Sequence, residues 1–174
     1  MRTLDPIVKF DFAFSSFCLC HRFNQQVASI SKAVSHTGDG HLYIVMAVLA
    51  SVIDKPNGAM FFAVGLLAFA FELPTYIAIK KIFKRRRPGQ FSSLLPSFIT
   101  PADQYSLPSG HTAAGFVMAT LIGHFYPAMF SFAVVWALAI GASRILLGVH
   151  FFSDIILGAA LGVACASTAL ALLS

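Results

Sequence analysis

From Thr112 to Ser143 the chain has no aspartate, glutamate, lysine or arginine, and a single histidine, His124. A bilayer accepts such a stretch readily, because a spanning helix needs about 20 mostly apolar residues. The run is too long for one span. His124-Phe125-Tyr126-Pro127 offers a break, so the pattern predicts two helices meeting at a turn. Residues 57–79, with Glu72 as their only acidic or basic side chain, predict another span. Residues 151–173, with Asp154 near their start, predict a further one. Leu42–Ile53 is uncharged but short, and crosses only with the preceding turn or a tilt. The chain is 57% hydrophobic and 11% charged, whereas soluble domains carry about 25% charged residues. So little charge cannot cover a water-facing surface, and the surface must face lipid.

The N-terminal part reads differently. Phe10, Phe12, Phe14 and Phe17 alternate with polar groups, and Asn24, Gln25, Gln26, Lys32 and His36 would be costly in hydrocarbon. Helices lying in the interface suit residues 1–40 better than a clean span. The expected fold is therefore all-α, a polytopic membrane helix bundle forming one domain over residues 1–174. It has five spans, with a sixth, N-terminal span as the alternative. Asp5, Lys9 and Asp11 interrupt the N-terminus, and His21-Arg22 follows Phe12–Cys20 where a secretory signal would have small residues. Cys18, Cys20 and Cys165 lack metal-ligand spacing and read as small buried hydrophobes. The seven acidic residues are scattered, so neither a carboxylate metal site nor a cofactor is expected.

The connection from residue 84 to 110 holds Pro88, Pro96, Pro101 and Pro108 and is too long for a plain linker. Lys80, Lys81, Lys84, Arg85, Arg86 and Arg87 precede or begin it. Without interleaved aromatics beyond Phe83, this cluster is not read as a nucleic-acid site. Folding the spans antiparallel brings the end of 57–79, the start of the span near Ser109, Ser143-Arg144 and His150 to one membrane face. Three clusters then share that face: Lys80 with Arg87-Pro88; Pro108-Ser109-Gly110-His111; and Ser143-Arg144 with His150 and Asp154. Each alone is a weak signal, and together they are a strong one.

This combination, K-x6-RP, then PSGH, then SR-x5-H-x3-D, resembles the type-2 phosphatidic acid phosphatase superfamily, the lipid phosphate phosphatases. Every fixed position matches over residues 80–154. The Gly38-Asp39-Gly40 turn also looks like a feature of bacterial members. The resemblance implies that His150 is a nucleophile forming a phosphohistidine, which water then hydrolyses. Attack needs a neutral imidazole whose other nitrogen is held by an acceptor. Asp154, four residues on, shares its helical face and would orient it; a helix-start charge is the plainer reading of that aspartate. His111 is implied as the general acid for the leaving group. Lys80, Arg87 and Arg144, with Ser109 and Gly110 at a helix start, are implied to bind the phosphoryl oxygens. Lys81, Lys84, Arg85 and Arg86 are read as headgroup contacts or a solvated basic face. His21, His36, His41 and His124 are read as structural. Glu72, two residues before Pro74, is read as bonding into a helix kink.

The expected function is thus lipid phosphate or diphosphate hydrolysis without metal. Undecaprenyl diphosphate is the first substrate choice, on the resemblance to small bacterial members. Phosphatidylglycerol phosphate, phosphatidic acid and lipid A 1-phosphate follow. A lipid-phosphate binding or transport protein is the non-enzymatic alternative, and phosphoryl transfer to another acceptor a third. Substrate and membrane lipids are the expected partners, with no nucleic acid, and no protein partner is inferable. The positive-inside rule would put the basic cluster in the cytoplasm. The family habit implies the outer face of a bacterial inner membrane, and that is the expectation.

Overall fold

The computed structural model describes residues 5–101 and 103–173. Met1–Leu4 of the expected N-terminal segment and Ser174 lie outside the described residues. The elements run α1 (Asp5–Leu19), α2 (Asn24–His36), α3 (His41–Ile53), α4 (Gly58–Phe83), the single turn α5 (Pro88–Phe91), α6 (Gly110–Phe125), a short 3₁₀ turn Pro127–Met129, α7 (Phe130–Leu146) and α8 (Phe152–Leu173). No strand occurs among the described residues, in agreement with the all-α expectation. Among the described residues, three stretches are long and apolar enough to cross a membrane: Gly58–Phe91, Pro127–Leu146 and Phe152–Leu173. The other two expected spans fall on α3, with 13 residues, and α6, with 16 residues. The break foreseen at Tyr126-Pro127 is the turn between α6 and α7.

Helix α6 stands at the centre, packed against α4, α7 and α8. Small residues let it come close. A Cβ on Gly158 would lie 2.6 Å from the Ser109 carbonyl oxygen, and one on Gly162 would lie 2.2 Å from that of Ala113. Lipid tails give no hydrophobic drive between helices, so such close contact is a main source of cohesion. Val64, Val117, Leu121, Ala133 and Ala137 fill the centre with no exposure, while Leu66, Phe132, Val135 and Ile156 point outward. Pro74 does not end α4, which continues through it to Phe83; the Thr75 hydroxyl donates to the Phe71 carbonyl one turn back.

The N-terminal helices lie against the end of the bundle where the motifs gather. Helix α1 contacts α7 and α8, and α2 contacts α7. The faces of α1 are inverted relative to a helix on a soluble protein, whereas α2 exposes Gln25, Gln26 and Lys32 beside Ile30. Helix α1 buries Asp11, Ser15 and Leu19, and α2 buries Ala28, Ser31 and Ser35. Phe10, Phe17 and Ile30 are exposed. A polar inner face and an apolar outer face suit α1 to a membrane surface.

Candidate active site

Each expected site residue sits at the same end of the bundle because of where its helix starts or stops. Lys80 ends α4, Ser109 caps α6, Arg144 lies in the last turn of α7, and Asp154 opens α8. His150 lies in the link between α7 and α8. That link turns through Gly148 at φ +72, where a Cβ would sit 2.0 Å from the Pro96 carbonyl oxygen. Glycine alone fits both the left-handed backbone and the approach. The long connection is pinned down at several points. Phe98 N donates to the Leu147 carbonyl at 3.0 Å, and Ser106 N donates to the Arg85 carbonyl at 2.9 Å.

His150 is 2% exposed. Burial holds its imidazole down, at about 4, despite the nearby Asp154 carboxylate. It is therefore neutral at pH 7, the form a nucleophile requires. Its Nδ1 faces Asp154 Oδ2 at 3.6 Å, too far for a hydrogen bond, and has no partner among the described residues. Arg144 Nε is likewise buried without a partner, while its Nη1 donates to Ser35 Oγ at 2.6 Å. Buried polar atoms are nearly always bonded, so two such atoms in one place are informative.

Asp154 has two further contacts that its sequence position did not announce. Its Oδ2 accepts from Phe151 N at 2.8 Å, and its Oδ1 from Arg85 Nη1 at 2.6 Å. Arg85 also donates to Ser153 Oγ at 2.6 Å and to Asp11 Oδ2 at 2.6 Å. This corrects the reading of Arg85 as headgroup contact or solvated face. It bridges two buried carboxylates, whereas Lys81, Lys84 and Arg86 are exposed. Asp11, fully buried on α1, also accepts from Ser153 N at 3.0 Å.

On the other side, Lys80 and Arg87 converge on Asp103. Lys80 Nζ donates to both Asp103 oxygens at 2.7 and 2.8 Å and to the Tyr105 carbonyl at 2.7 Å. Arg87 pairs with the same carboxylate and donates through Nη1 to the Val149 carbonyl at 2.6 Å. His111 Nε2 lies 2.7 Å from Asp39 Oδ1, and His36 Nδ1 lies 2.6 Å from Asp39 Oδ2. His36 is thus joined to the site through Asp39. Ser109 is fully buried and serves the helix itself. Its hydroxyl accepts from Thr112 Oγ1 at 2.8 Å, and its N–H donates to the Asp154 carbonyl at 3.1 Å. Gly110 passes beneath the Tyr76 ring, 2.8 Å from where a Cβ would stand. Among the cysteines, Cys165 is buried as expected, but Cys20 is exposed, which corrects its reading as a buried hydrophobe. No cluster of three or more candidate metal ligands occurs among the described residues.

Residues 58–174 match the PAP2 superfamily, more than half of the chain. The chain belongs to the PAP2 superfamily. Among curated relatives, this PAP2 chain is 29% identical to a decaprenylphosphoryl-5-phosphoribose phosphatase of Mycobacterium tuberculosis, over 76% of the chain and 72% of the relative. It is 30% identical to a probable lipid phosphate phosphatase beta of Arabidopsis thaliana, over 67% of each. In fold it is similar to LpxE of Aquifex aeolicus, with a TM-score of 0.80 and 24% identity over 91% of this chain and 93% of that one. It is also similar to a transmembrane PAP2-type phosphatidylglycerolphosphate phosphatase of Bacillus subtilis, with a TM-score of 0.76 and 21% identity over 96% and 86%.

Proposed function

We propose that this integral membrane PAP2 lipid phosphatase hydrolyses undecaprenyl diphosphate to undecaprenyl phosphate through a phosphohistidine on His150. The observation that carries the reading is the pair of unpartnered buried atoms, His150 Nδ1 and Arg144 Nε, at the membrane end where the motifs meet. With Nδ1 turned toward Asp154, Nε2 is the nitrogen that attacks phosphorus. The bond from phosphorus to the lipid-side bridging oxygen breaks, and His111 gives that oxygen its proton. Asp154 accepts from Nδ1 as the ring gains charge, which requires the 3.6 Å separation to close; catalytic hydrogen bonds are often long before substrate arrives. Water then cleaves the P–N bond, with neutral His111 taking its proton. Arg144, Lys80 and Arg87 hold the phosphoryl oxygens, where the transition-state charge lies.

A groove of about 470 Å³ supports a lipid tail. Gly40, Tyr43, Ile44, Phe62, Leu66 and Met118 are among its walls, and it begins one residue from Asp39. Its lining is almost wholly apolar, and Ile44 and Leu66 are exposed toward the bilayer. A polyprenyl tail suits such a groove, and the mycobacterial relative is named for a decaprenylphosphoryl lipid. The test is phosphate release in detergent from undecaprenyl diphosphate, phosphatidylglycerol phosphate, phosphatidic acid and lipid A 1-phosphate, with and without a chelator. Highest kcat/KM on undecaprenyl diphosphate, kept in chelator, is expected. Preference for another lipid would overturn the substrate, and loss in chelator would overturn the metal-free mechanism.

The site is assigned to the external face of a bacterial inner membrane. Lys80, Arg85 and Arg87 are bound to carboxylates, so half of the basic cluster is engaged inside the protein and weighs less as a topogenic signal. Cys20, exposed at this end with its Sγ 3.5 Å from the Leu94 carbonyl, is a native probe. A variant keeping only Cys20 should react with a membrane-impermeant thiol reagent in intact cells. Protection until lysis would reverse the sidedness.

A further inference from the structure

The cations that would grip phosphate are already engaged, chiefly by one residue. Asp103 lies on the connection between α5 and α6, with Oδ1 and Oδ2 at 2.7 and 2.8 Å from Lys80 Nζ. Tyr76 donates its hydroxyl to Oδ2 at 2.5 Å, and Arg87 Nη2 pairs with Oδ1. An ammonium has three hydrogens. With the Tyr105 carbonyl at 2.7 Å, Lys80 has none left for a substrate oxygen. The partners differ in exposure. The Lys80 and Arg87 side chains are 7% and 6% exposed, whereas that of Asp103 is 39% exposed. The cations are packed in place, and the carboxylate sits at the solvent edge, where water can replace its partners.

We propose that Asp103 is a specificity-determining residue, an internal carboxylate competitor that a substrate's terminal phosphoryl group must displace from Lys80 and Arg87. The proposal rests on the reading of those two residues as phosphate-binding. Displacement selects by charge. A terminal phosphate carries about −1.5 to −2 near pH 7 and three oxygens, against one charge and two oxygens on Asp103. A phosphodiester carries a single charge, and gains nothing electrostatic over the carboxylate it would replace. The selectivity is thus for terminal phosphate, as in a lipid monophosphate or diphosphate, over a phosphodiester headgroup of the surrounding bilayer. Burial alone would raise the Asp103 carboxyl, but the hydrogen bonds from Lys80 and Tyr76 and the charges of Lys80 and Arg87 hold it at about 2. The competitor is therefore charged throughout the working range. A purely bracing role fits less well, because it would leave Lys80 with no donor to offer.

The test compares wild type, Asp103→Asn and Tyr76→Phe in detergent. Binding of inorganic phosphate and of dimethyl phosphate is read from thermal-shift titrations, and KM is measured on a lipid monophosphate. In Asp103→Asn, phosphate should bind about tenfold more tightly, KM should fall, and the preference for phosphate over dimethyl phosphate should narrow. Tyr76→Phe loosens the carboxylate without touching the cations, should shift in the same direction by less, and decides the matter if Asp103→Asn does not fold. Weaker or unchanged phosphate binding, or unchanged selectivity, would overturn the proposal. Phosphate binding is read without turnover, so it separates the two readings. Tighter binding in a protein that hydrolyses no lipid would retire the phosphatase reading and leave Asp103's role standing. Normal turnover with unaltered binding would do the reverse.

Discussion

Two carboxylates meet the basic residues at the end of α4, and they do so in opposite ways. Asp154 is fully buried, and Arg85 ties it to Asp11 on α1 and to Ser153. Asp103 holds Lys80 and Arg87 from the solvent edge, on a connection between helices. The first arrangement fixes the residue beside His150. The second buries Lys80 and Arg87 while leaving their carboxylate partner at the solvent edge. On the proposed reading the site is rigid where His150 is aimed and exchangeable where substrate enters, as preorganised catalysis requires.

The largest expected effect breaks the rigid side. Arg85→Ala leaves Asp11 and Asp154 buried without their cation, and loss of one partner of a buried ion pair costs about 3–5 kcal/mol. Thermal unfolding in detergent should show that loss, and kcat should fall by about 100-fold or more. An effect no larger than that of Asp103→Asn would erase the comparison. Gly148→Ala comes next. It forces a left-handed alanine against the Pro96 carbonyl at the link carrying His150, at a cost of about 1–3 kcal/mol, and should lower turnover with stability. Asp39→Asn, on the exposed side, should lower kcat/KM by about tenfold through a poorly held His111, a fraction of what a general acid contributes. His36→Ala, one step further out, should change it less.

The pH response sharpens the same contrast. Burial places His150 at about 4 in the folded protein, against about 6.5 unfolded. Below the unfolded value the unfolded chain binds the proton and the folded one does not. Stability is therefore full above about 6.5 and declines as pH falls toward 4, by linkage. His150 itself stays largely unprotonated until pH nears 4. The acidic limb of the kcat profile assigned to His150 should lie below about pH 5, while a limb near 6.5 would contradict its buried, neutral state.

Much of this was legible from the chain. Runs with at most one charged residue located α4, α6, α7 and α8, because a bilayer imposes length and hydropathy on a helix regardless of its neighbours. Antiparallel alternation alone carried Lys80, Arg87, Ser109, His111, Arg144, His150 and Asp154 to one end. Their pairings were harder to see. Asp11 reaches Arg85 across 74 residues, and Asp39 reaches His111 across 72. Lone acids in no repeated spacing give periodicity nothing to detect. Arg85 was hidden among five other cations, and only the fold separates it from the exposed Arg86. An aspartate at position 11 among Phe10, Phe12 and Phe14 was the available hint, since an acid in an apolar membrane segment is retained with a partner. The helix start also carried two meanings at once. Ser109 was expected to face phosphate, yet its hydroxyl accepts from Thr112 and caps α6.

The proposed route passes phosphate through His150. Base-quenched turnover of a lipid labelled in its terminal phosphate, followed by mapping of the labelled residue, tests it most directly. Label is expected on residue 150 in the wild type. In His150→Ala, label and phosphate release should both be lost while the protein still inserts in the membrane. Label on another residue, or release at the wild-type rate from His150→Ala, would contradict it.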